Sequence, residues 1–253
     1  MRKAFLYIAC VIALVFAACN EDTYEVFPEE TSHLSANNAI TVSTIQGTTR
    51  LVRNINDILN WTGTGTNTSV LAIQWAPTDS VTPPQEEDIL FLAWGYRWTS
   101  GKTGLDMIRE VAANDPRLFV ILTQQWGGWT IKGFGYDGNG DGKISVSNAS
   151  ITLTETDFQN GIYEGSADQD FDGMELANPA DYWMGGWYDA YASYWLGAEG
   201  TTTPAAFKYS DYLVDLRRLS NNSWDAWTFS TINTSESNID PRPDLLKAAP
   251  TNK

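Results

Sequence analysis

The chain has 253 residues and a formal net charge of −15, from 31 acidic and 16 basic side chains. This excess of negative charge repels nucleic acid and anionic surfaces, so both are excluded as partners. The only histidine is His33 and the only cysteines are Cys10 and Cys19, which excludes Ser-His-Asp and Cys-His catalysis and zinc sites built on several such ligands. Carboxylate-pair chemistry is the enzyme class left open, and we expect no enzymatic activity.

The N-terminus has the pattern of a bacterial lipoprotein. Arg2 and Lys3 precede an apolar run, Ala4–Ala18, that is too short to span a membrane. Cys19 follows at once, an arrangement that resembles a lipobox. It predicts a signal peptide over residues 1–18 and lipidation of Cys19. The acidic residues after Cys19 resemble the export signal of Bacteroidota surface lipoproteins, which implies an outer-membrane protein facing the exterior; a periplasmic location is the alternative.

The segment from residue 19 to residue 38 is acidic and poor in apolar side chains, which predicts a solvated tether. One β-rich ligand-binding domain is expected over residues 39–253. Apolar runs bounded by polar, Pro-containing loops such as Pro77–Asp88 are typical of strands. The predicted strands are Val70–Trp75, Ile89–Trp94, Leu118–Thr123 and Ile144–Leu153.

One helix is predicted after Thr103. Thr103 and Asp106 have the spacing of a capping box, and Pro116 ends the helix because the residue before a proline avoids the helical region. Its apolar residues at helical spacing are Leu105, Ile108, Val111 and Ala112. The predicted fold class is therefore α+β, a mostly antiparallel β-sheet with one main helix packed on it.

Two acidic segments have the spacing of calcium loops. The first begins at Asp137 and places oxygen side chains at positions 1, 3 and 5 before a glycine. The second, Asp168–Glu175, completes that site or forms its own. The expected ligands are Asp137, Asn139, Asp141, the Lys143 carbonyl, Asp168, Asp170, Asp172 and Glu175, around a structural calcium ion. The alternative is a pair of ordinary Asp/Gly-rich turns.

Aromatic residues are unusually abundant, with 11 Trp, 11 Tyr and 10 Phe. Large flat side chains supply much of the binding energy for ring-shaped ligands. Their clusters predict a ligand-binding cleft that includes Trp126, Trp129, Trp183, Trp187, Tyr191 and Trp195. The segment Tyr182–Leu196, which holds four of these residues, is interpreted as a strand or hairpin because of its paired glycines and aromatic density.

Several motifs resemble known families. A group of segments is similar to a family of secreted, often PEP-CTERM-sorted or lipid-anchored proteins: Ala93–Trp98 with Thr103–Met107, Gly133–Asp137, Trp187–Leu196 and Ser223–Trp227. In addition, Thr103–Asp106, Gly135–Asp137 and Tyr191–Trp195 follow the order of the helix start, glycine–tyrosine loop and aromatic strand of the transcobalamin-like C-terminal domain. That second resemblance implies a small α+β unit that cups a corrinoid.

The resemblance implies a surface lipoprotein that binds a cobalamin-like corrinoid, without chemistry, for uptake through a TonB-dependent outer-membrane transporter. The aromatic residues and the calcium loops also fit a surface glycan-binding lipoprotein, a calcium-stabilised carbohydrate-binding module. A carboxylate-pair glycoside hydrolase and a purely structural surface protein remain open as well. The membrane is expected to be a partner only through the lipid.

Overall fold

The computed structural model describes residues 49–76, 84–188, 190–231 and 240–251. Cys19, the predicted tether and the first half of the predicted Pro77–Asp88 loop lie outside these ranges. All of the described residues belong to one compact unit. Among them, no helix is both long enough and apolar enough to cross a membrane.

The described residues form fourteen strands, one α-helix and short 3-10 turns. The strands are β1 (Trp61–Gly63), β2 (Asn67–Trp75), β3 (Leu90–Trp98), β4 (Leu118–Gln125), β5 (Gly128–Tyr136), β6 (Ser145–Ser147), β7 (Thr152–Thr154), β8 (Ile162–Gly165), β9 (Glu175–Leu176), β10 (Tyr182–Gly185), β11 (Ala190–Gly197), β12 (Phe207–Tyr209), β13 (Ser223–Thr231) and β14 (Lys247–Ala248). The helix α1 spans Gly104–Asn114. The 3-10 turns cover Ile55–Asp57, Glu86–Asp88, Glu155–Asp157 and Pro243–Leu245.

The largest sheet has seven strands in the order β1-β3-β2-β13-β11-β12, with β14 also paired to β3. Strands β2 and β3 lie inside it, so alternate side chains enter two different cores. On β3, Leu90, Leu92 and Trp94 face one core, and Phe91 and Ala93 face the other. Burial on both faces explains why these strands read as continuous apolar runs in the sequence.

Two smaller sheets add further layers. The four-stranded sheet, β10-β5-β4-β8, shares the main hydrophobic core with the large sheet and α1. Its opposite face packs on the three-stranded sheet, β7-β6-β9, through a separate cluster that includes Phe119, Val146 and Phe171. Most strand pairs are antiparallel, and the predicted α+β class with one main helix is confirmed.

The predicted helix is confirmed at both ends. The Thr103 hydroxyl oxygen accepts the Asp106 N–H at 3.2 Å, and the Asp106 carboxylate accepts the Thr103 N–H at 2.8 Å. The chain turns to extended backbone at Asp115, just before Pro116. The predicted apolar face is buried, and Leu105, Ile108, Val111 and Ala112 all belong to the main core.

Two sequence interpretations are wrong in detail. The single strand expected over Ile144–Leu153 is a hairpin of β6 and β7, because the Asn148 side-chain oxygen accepts the N–H groups of Ser150 and Ile151 and closes a turn between them. The segment Tyr182–Leu196 contains strands, as expected, but no hairpin. Its two strands join different sheets, since β10 pairs with β5 and β11 pairs with β12 and β13.

The motif Gly135–Asp137, expected as a glycine–tyrosine loop, also differs. Gly135 and Tyr136 are the last residues of β5, and the loop begins only at Asp137. Glycine is required there by packing, since a Cβ added to Gly135 would lie 2.4 Å from the Ile144 side chain.

Candidate functional site

An aromatic pocket of about 350 Å³ opens between the four-stranded and seven-stranded sheets. It is formed where the β4–β5 hairpin tip meets β11, β13 and the segment after β12. Its lining residues are Trp126, Trp129, Thr130, Ile131, Trp187, Tyr191, Ala192, Tyr194, Tyr209, Ser210, Asp211, Tyr212, Leu213, Val214 and Trp227. The volume lies at the low end of the range, about 300–1,000 Å³, that is usual for small-molecule sites.

The structure brings four of the six aromatic residues predicted from the sequence into this pocket. Trp126 and Trp129 come from the β4–β5 hairpin, and Trp187 and Tyr191 come from the chain that enters β11. These residues are far apart in sequence and meet because β5 and β11 face each other across the two sheets. They form one continuous surface.

The other two predicted residues, Trp183 and Trp195, lie outside the pocket lining. Trp183 packs on the cluster around Phe119 and covers β5, where a Cβ added to Gly133 would lie 2.5 Å from its ring. Trp195 is 7% exposed and packs in the core on the other face of the large sheet. It supports the pocket indirectly, because its ring makes an edge contact with the ring of Tyr209, with centroids 5.6 Å apart.

The walls of the pocket are Trp129 and Trp187, and each is contacted by a cation. The Arg109 guanidinium lies 4.9 Å from the Trp129 ring centroid and also pairs with Glu164 at 2.6 Å. The Lys132 Nζ lies 3.5 Å from the Trp187 ring centroid. Cation–π contacts of this kind restrict the ring without occupying the pocket.

The floor of the pocket is Tyr194 and Trp227, whose rings stack almost parallel with centroids 4.3 Å apart. Both side chains are buried. The Tyr194 hydroxyl donates to the Asp225 carboxylate, and Arg217 lies 3.8 Å from that carboxylate. Burial raises the pKa of Asp225 to about 6, against the opposing effects of Arg217 and Tyr194.

The rim of the pocket is Trp126, Tyr209 and Tyr212, which are exposed by 70%, 52% and 61%. Tyr188, the remaining exposed aromatic side chain of the described residues, adjoins Trp187. Tyr209 and Tyr212, together with the floor residues, were not predicted from the sequence. The alternation of aromatic and polar residues in Phe207-Lys208-Tyr209 is typical of a strand. Nothing in the sequence, however, showed that this strand, β12, lies beside β11.

Trp126 has an unusual backbone. It occupies a two-residue turn with Gly127 between the paired residues Gln125 and Gly128, and its φ is 52°. Turns of this kind favour Asn-Gly, because a positive φ costs a bulky residue about 1–2 kcal/mol. Its exposed side chain recovers little of that cost through burial.

The first predicted calcium loop is closed by its own backbone. The two Asp137 carboxylate oxygens accept the N–H groups of Gly140 and Gly142 at 2.6 and 2.7 Å. Asn139 and Asp141 make similar turns, accepting the N–H groups of Asp141 and Lys143. Asp137 is buried, whereas Asp141 and Lys143 are exposed.

Asp181 joins this loop although sequence reasoning did not select it. Its carboxylate accepts the Gly138 N–H at 3.2 Å. Burial raises its pKa to about 6, and the charges of Asp137 and Asp141 act in the same direction. A cation would relieve this crowding. Within the described ranges, however, no group of three or more His, Cys, Asp or Glu side chains is arranged to hold a metal, so calcium stays a prediction.

The second predicted calcium loop is bonded to the pocket. The Asp172 carboxylate accepts the Trp187 N–H at 2.7 Å and the Tyr188 N–H at 2.8 Å. The Asn148 side-chain amide donates to the carbonyls of Asp170 and Asp172. The other residues expected to bind calcium here, Asp168, Asp170 and Glu175, are exposed.

Comparison of the chain with family models, curated proteins and solved structures found no match. The resemblances to the secreted or lipid-anchored family and to the transcobalamin-like domain therefore stay predictions. The geometry of the pocket is the basis for a functional proposal.

Proposed function

We propose that this chain is a cell-surface binding protein whose aromatic pocket captures a carbohydrate. The observation that carries the proposal is the placement of exposed aromatic rings. Among the described residues, the exposed aromatic side chains are Trp126, Tyr188, Tyr209 and Tyr212, and all four lie at the pocket or beside it. Contiguous exposed apolar surface of this kind marks a binding site.

Carbohydrate fits the chemistry of the lining. The C–H faces of a sugar ring pack on indole and phenol rings, and its hydroxyl groups need nearby donors and acceptors. The rim provides both, since Tyr209 and Tyr212 carry hydroxyl groups and Asp211 carries an exposed carboxylate. The pocket volume suits a short stretch of sugar chain.

The strained turn at Trp126 supports a binding role. An exposed tryptophan at a positive φ costs stability and adds little burial, so the fold does not explain its presence. The Trp126 ring lies beside Trp187, with centroids 5.1 Å apart, where a ligand can contact both rings.

The corrinoid implied by the sequence resemblance is the second candidate. The rim favours it, because exposed rings extend past the cavity and offer a surface wider than the cavity itself. A corrinoid would lie across this rim rather than inside the pocket, since 350 Å³ is small for a ligand of that size. The partner in that case is a TonB-dependent transporter.

Anchoring through Cys19 completes the proposal and is tested separately. Intact cells that express the protein should bind an antibody against it and lose the signal when protease is added. A Cys19→Ala variant should leave the membrane fraction. Retention of that variant in the membrane would contradict the lipid anchor.

Calorimetry with the purified domain tests the binding function. The panel is maltohexaose, cellohexaose, xylohexaose, mannohexaose and cyanocobalamin. We expect heat from at least one oligosaccharide. Binding of cyanocobalamin alone would favour the corrinoid candidate, and no heat from any of the five at millimolar concentration would contradict both.

A further inference from the structure

The turn that carries Trp187 donates backbone hydrogen bonds to two residues of other segments. The Gly186 N–H donates to the backbone carbonyl of Lys132 at 2.8 Å. The Trp187 and Tyr188 N–H groups both donate to the side chain of Asp172. The backbone position of Trp187 therefore depends on β5 and on one aspartate.

The ring of Trp187 is fixed by a lysine. Lys132 is only 2% exposed, and its Nζ lies 3.5 Å from the ring centroid of Trp187. A cation–π contact strengthens when water is excluded from it. Trp126, at the tip of the β4–β5 hairpin, contacts the same ring. Lys132 therefore fixes the half-buried ring on which the exposed Trp126 packs.

We propose that Lys132 and Asp172 are positioning residues, which hold Trp187 against Trp126 and make binding depend on the positive charge of Lys132. The part of this inference that concerns affinity rests on the proposed binding function. The part that concerns the position of Trp187 can be measured without a ligand.

The charges around Lys132 set the pH range over which its contact with Trp187 should weaken. Burial lowers the pKa of Lys132 to about 8, and the charge of Asp172 acts in the opposite direction. The neighbouring strand β4 carries no titratable side chain, and β10 carries only Tyr182. Strand β11, which faces β5, carries Tyr191 and Tyr194. Asp189, which follows Tyr188 in the sequence, lies outside the described residues. With a pKa of about 8, Lys132 is expected to be mostly charged at pH 7 and mostly neutral at pH 9.5, where the cation–π contribution to its contact with Trp187 is lost.

Near-ultraviolet circular dichroism of the ligand-free protein tests the positioning role, because two adjacent indoles give a coupled signal. Trp126→Asn identifies that signal by removing one partner. We expect the wild-type signal to decline between pH 7 and pH 9.5. Lys132→Met should show the reduced signal already at pH 7, and Asp172→Ala should reduce it further. Lys132→Arg should keep the signal and remove its pH dependence, since arginine stays charged.

The same variants test affinity for the oligosaccharide with the highest affinity among the four hexasaccharides of the calorimetric panel. Lys132→Met should weaken binding by roughly 3- to 30-fold, the range that a buried cation–π contact supports. The control is Lys208→Met, the same change at an exposed lysine of β12 outside the pocket lining.

The outcomes separate the two proposals. If none of the hexasaccharides binds, the proposed function fails and the dichroism still decides the positioning role. A folded Lys132→Met protein with the wild-type signal and the wild-type pH response would overturn the inference. An affinity lost equally in Lys208→Met would also overturn it, because the effect would then belong to net charge.

Discussion

Tryptophan is used in two different ways in the core and in the pocket of this molecule. In the core, Trp75, Trp94 and Trp98 are buried, and their indole N–H groups donate to Phe134, Asp115 and Ser69. In the pocket, Trp126 is exposed and Trp187 is half-buried, and their contacts are with each other and with a lysine. These three core tryptophans are buried and have polar partners, whereas the pocket tryptophans that we propose contact a ligand keep exposed surface.

The largest expected effect concerns a core tryptophan from the aromatic segment. Trp195→Ala should lower the free energy of unfolding by about 3–5 kcal/mol, because it leaves a cavity against Trp224 and Phe207. Chemical denaturation measures this loss. A loss below about 1 kcal/mol would show that Trp195 is not a core tryptophan.

The pocket tryptophan Trp187 should behave in the opposite way. Trp187→Ala removes a wall and should weaken ligand binding by roughly 30- to 1,000-fold, which corresponds to about 2–4 kcal/mol for a desolvated tryptophan contact. Its loss of stability should be smaller than that of Trp195→Ala. The matched control is Trp183→Ala, from the same segment but outside the pocket, which should lower stability and leave affinity unchanged in the folded protein. Equal affinities of the two variants would contradict the assignment.

Calcium provides a test at the acidic loops, away from the aromatic residues. If calcium binds at Asp137, Asn139 and Asp141, excess chelator should lower the melting temperature, since a bound ion at 100 times its Kd stabilises the native state by about 2.7 kcal/mol. Asp137→Ala should lower the melting temperature by itself and abolish the response to chelator. An unchanged melting curve, together with elemental analysis that detects no calcium, would contradict the prediction of a bound calcium ion.

A pH effect is expected from the buried Asp225 beneath the pocket floor. Burial raises its pKa to about 6, above the value near 3.9 of an unfolded chain. The native state therefore binds more protons than the unfolded state between these values, and this contribution to stability is lost as the pH rises through 6. Relative to wild type, Asp225→Asn should become more stable as the pH increases from 4 to 8. A difference that does not change with pH would contradict the raised pKa.

Local chemistry explains which parts of the fold could be predicted. The capping box of Thr103 and Asp106 and the apolar runs of β2 and β3 are encoded by neighbouring residues, and all three elements are found where expected. The hairpin of β6 and β7 was missed because the turn at Asn148 depends on one side chain within a weakly alternating segment. Strand β5 was not predicted, because the resemblance implied a loop at Gly135–Asp137. In the structure, Gly133 and Gly135 make room for Trp183 and Ile144.

The pocket could be predicted only in part for a related reason. The aromatic clusters around Trp126 and Trp187 can be recognised in the sequence. That they lie close together depends on which strands become neighbours. Tyr194 and Trp195 are adjacent in sequence and point to opposite faces of β11, so one reaches the pocket floor and the other the core. Asp172 has the spacing of a calcium ligand, and its contact with the turn of Trp187 depends on tertiary structure.

The central claim is that the exposed aromatic rings serve a ligand rather than the fold, and Trp126→Asn tests it most directly. Asparagine suits the positive φ of the turn, so the variant should gain about 1 kcal/mol in the free energy of unfolding. Calorimetric titration with the same oligosaccharide that the wild type binds should show at least a tenfold loss of affinity. Wild-type affinity in this more stable variant would contradict the claim.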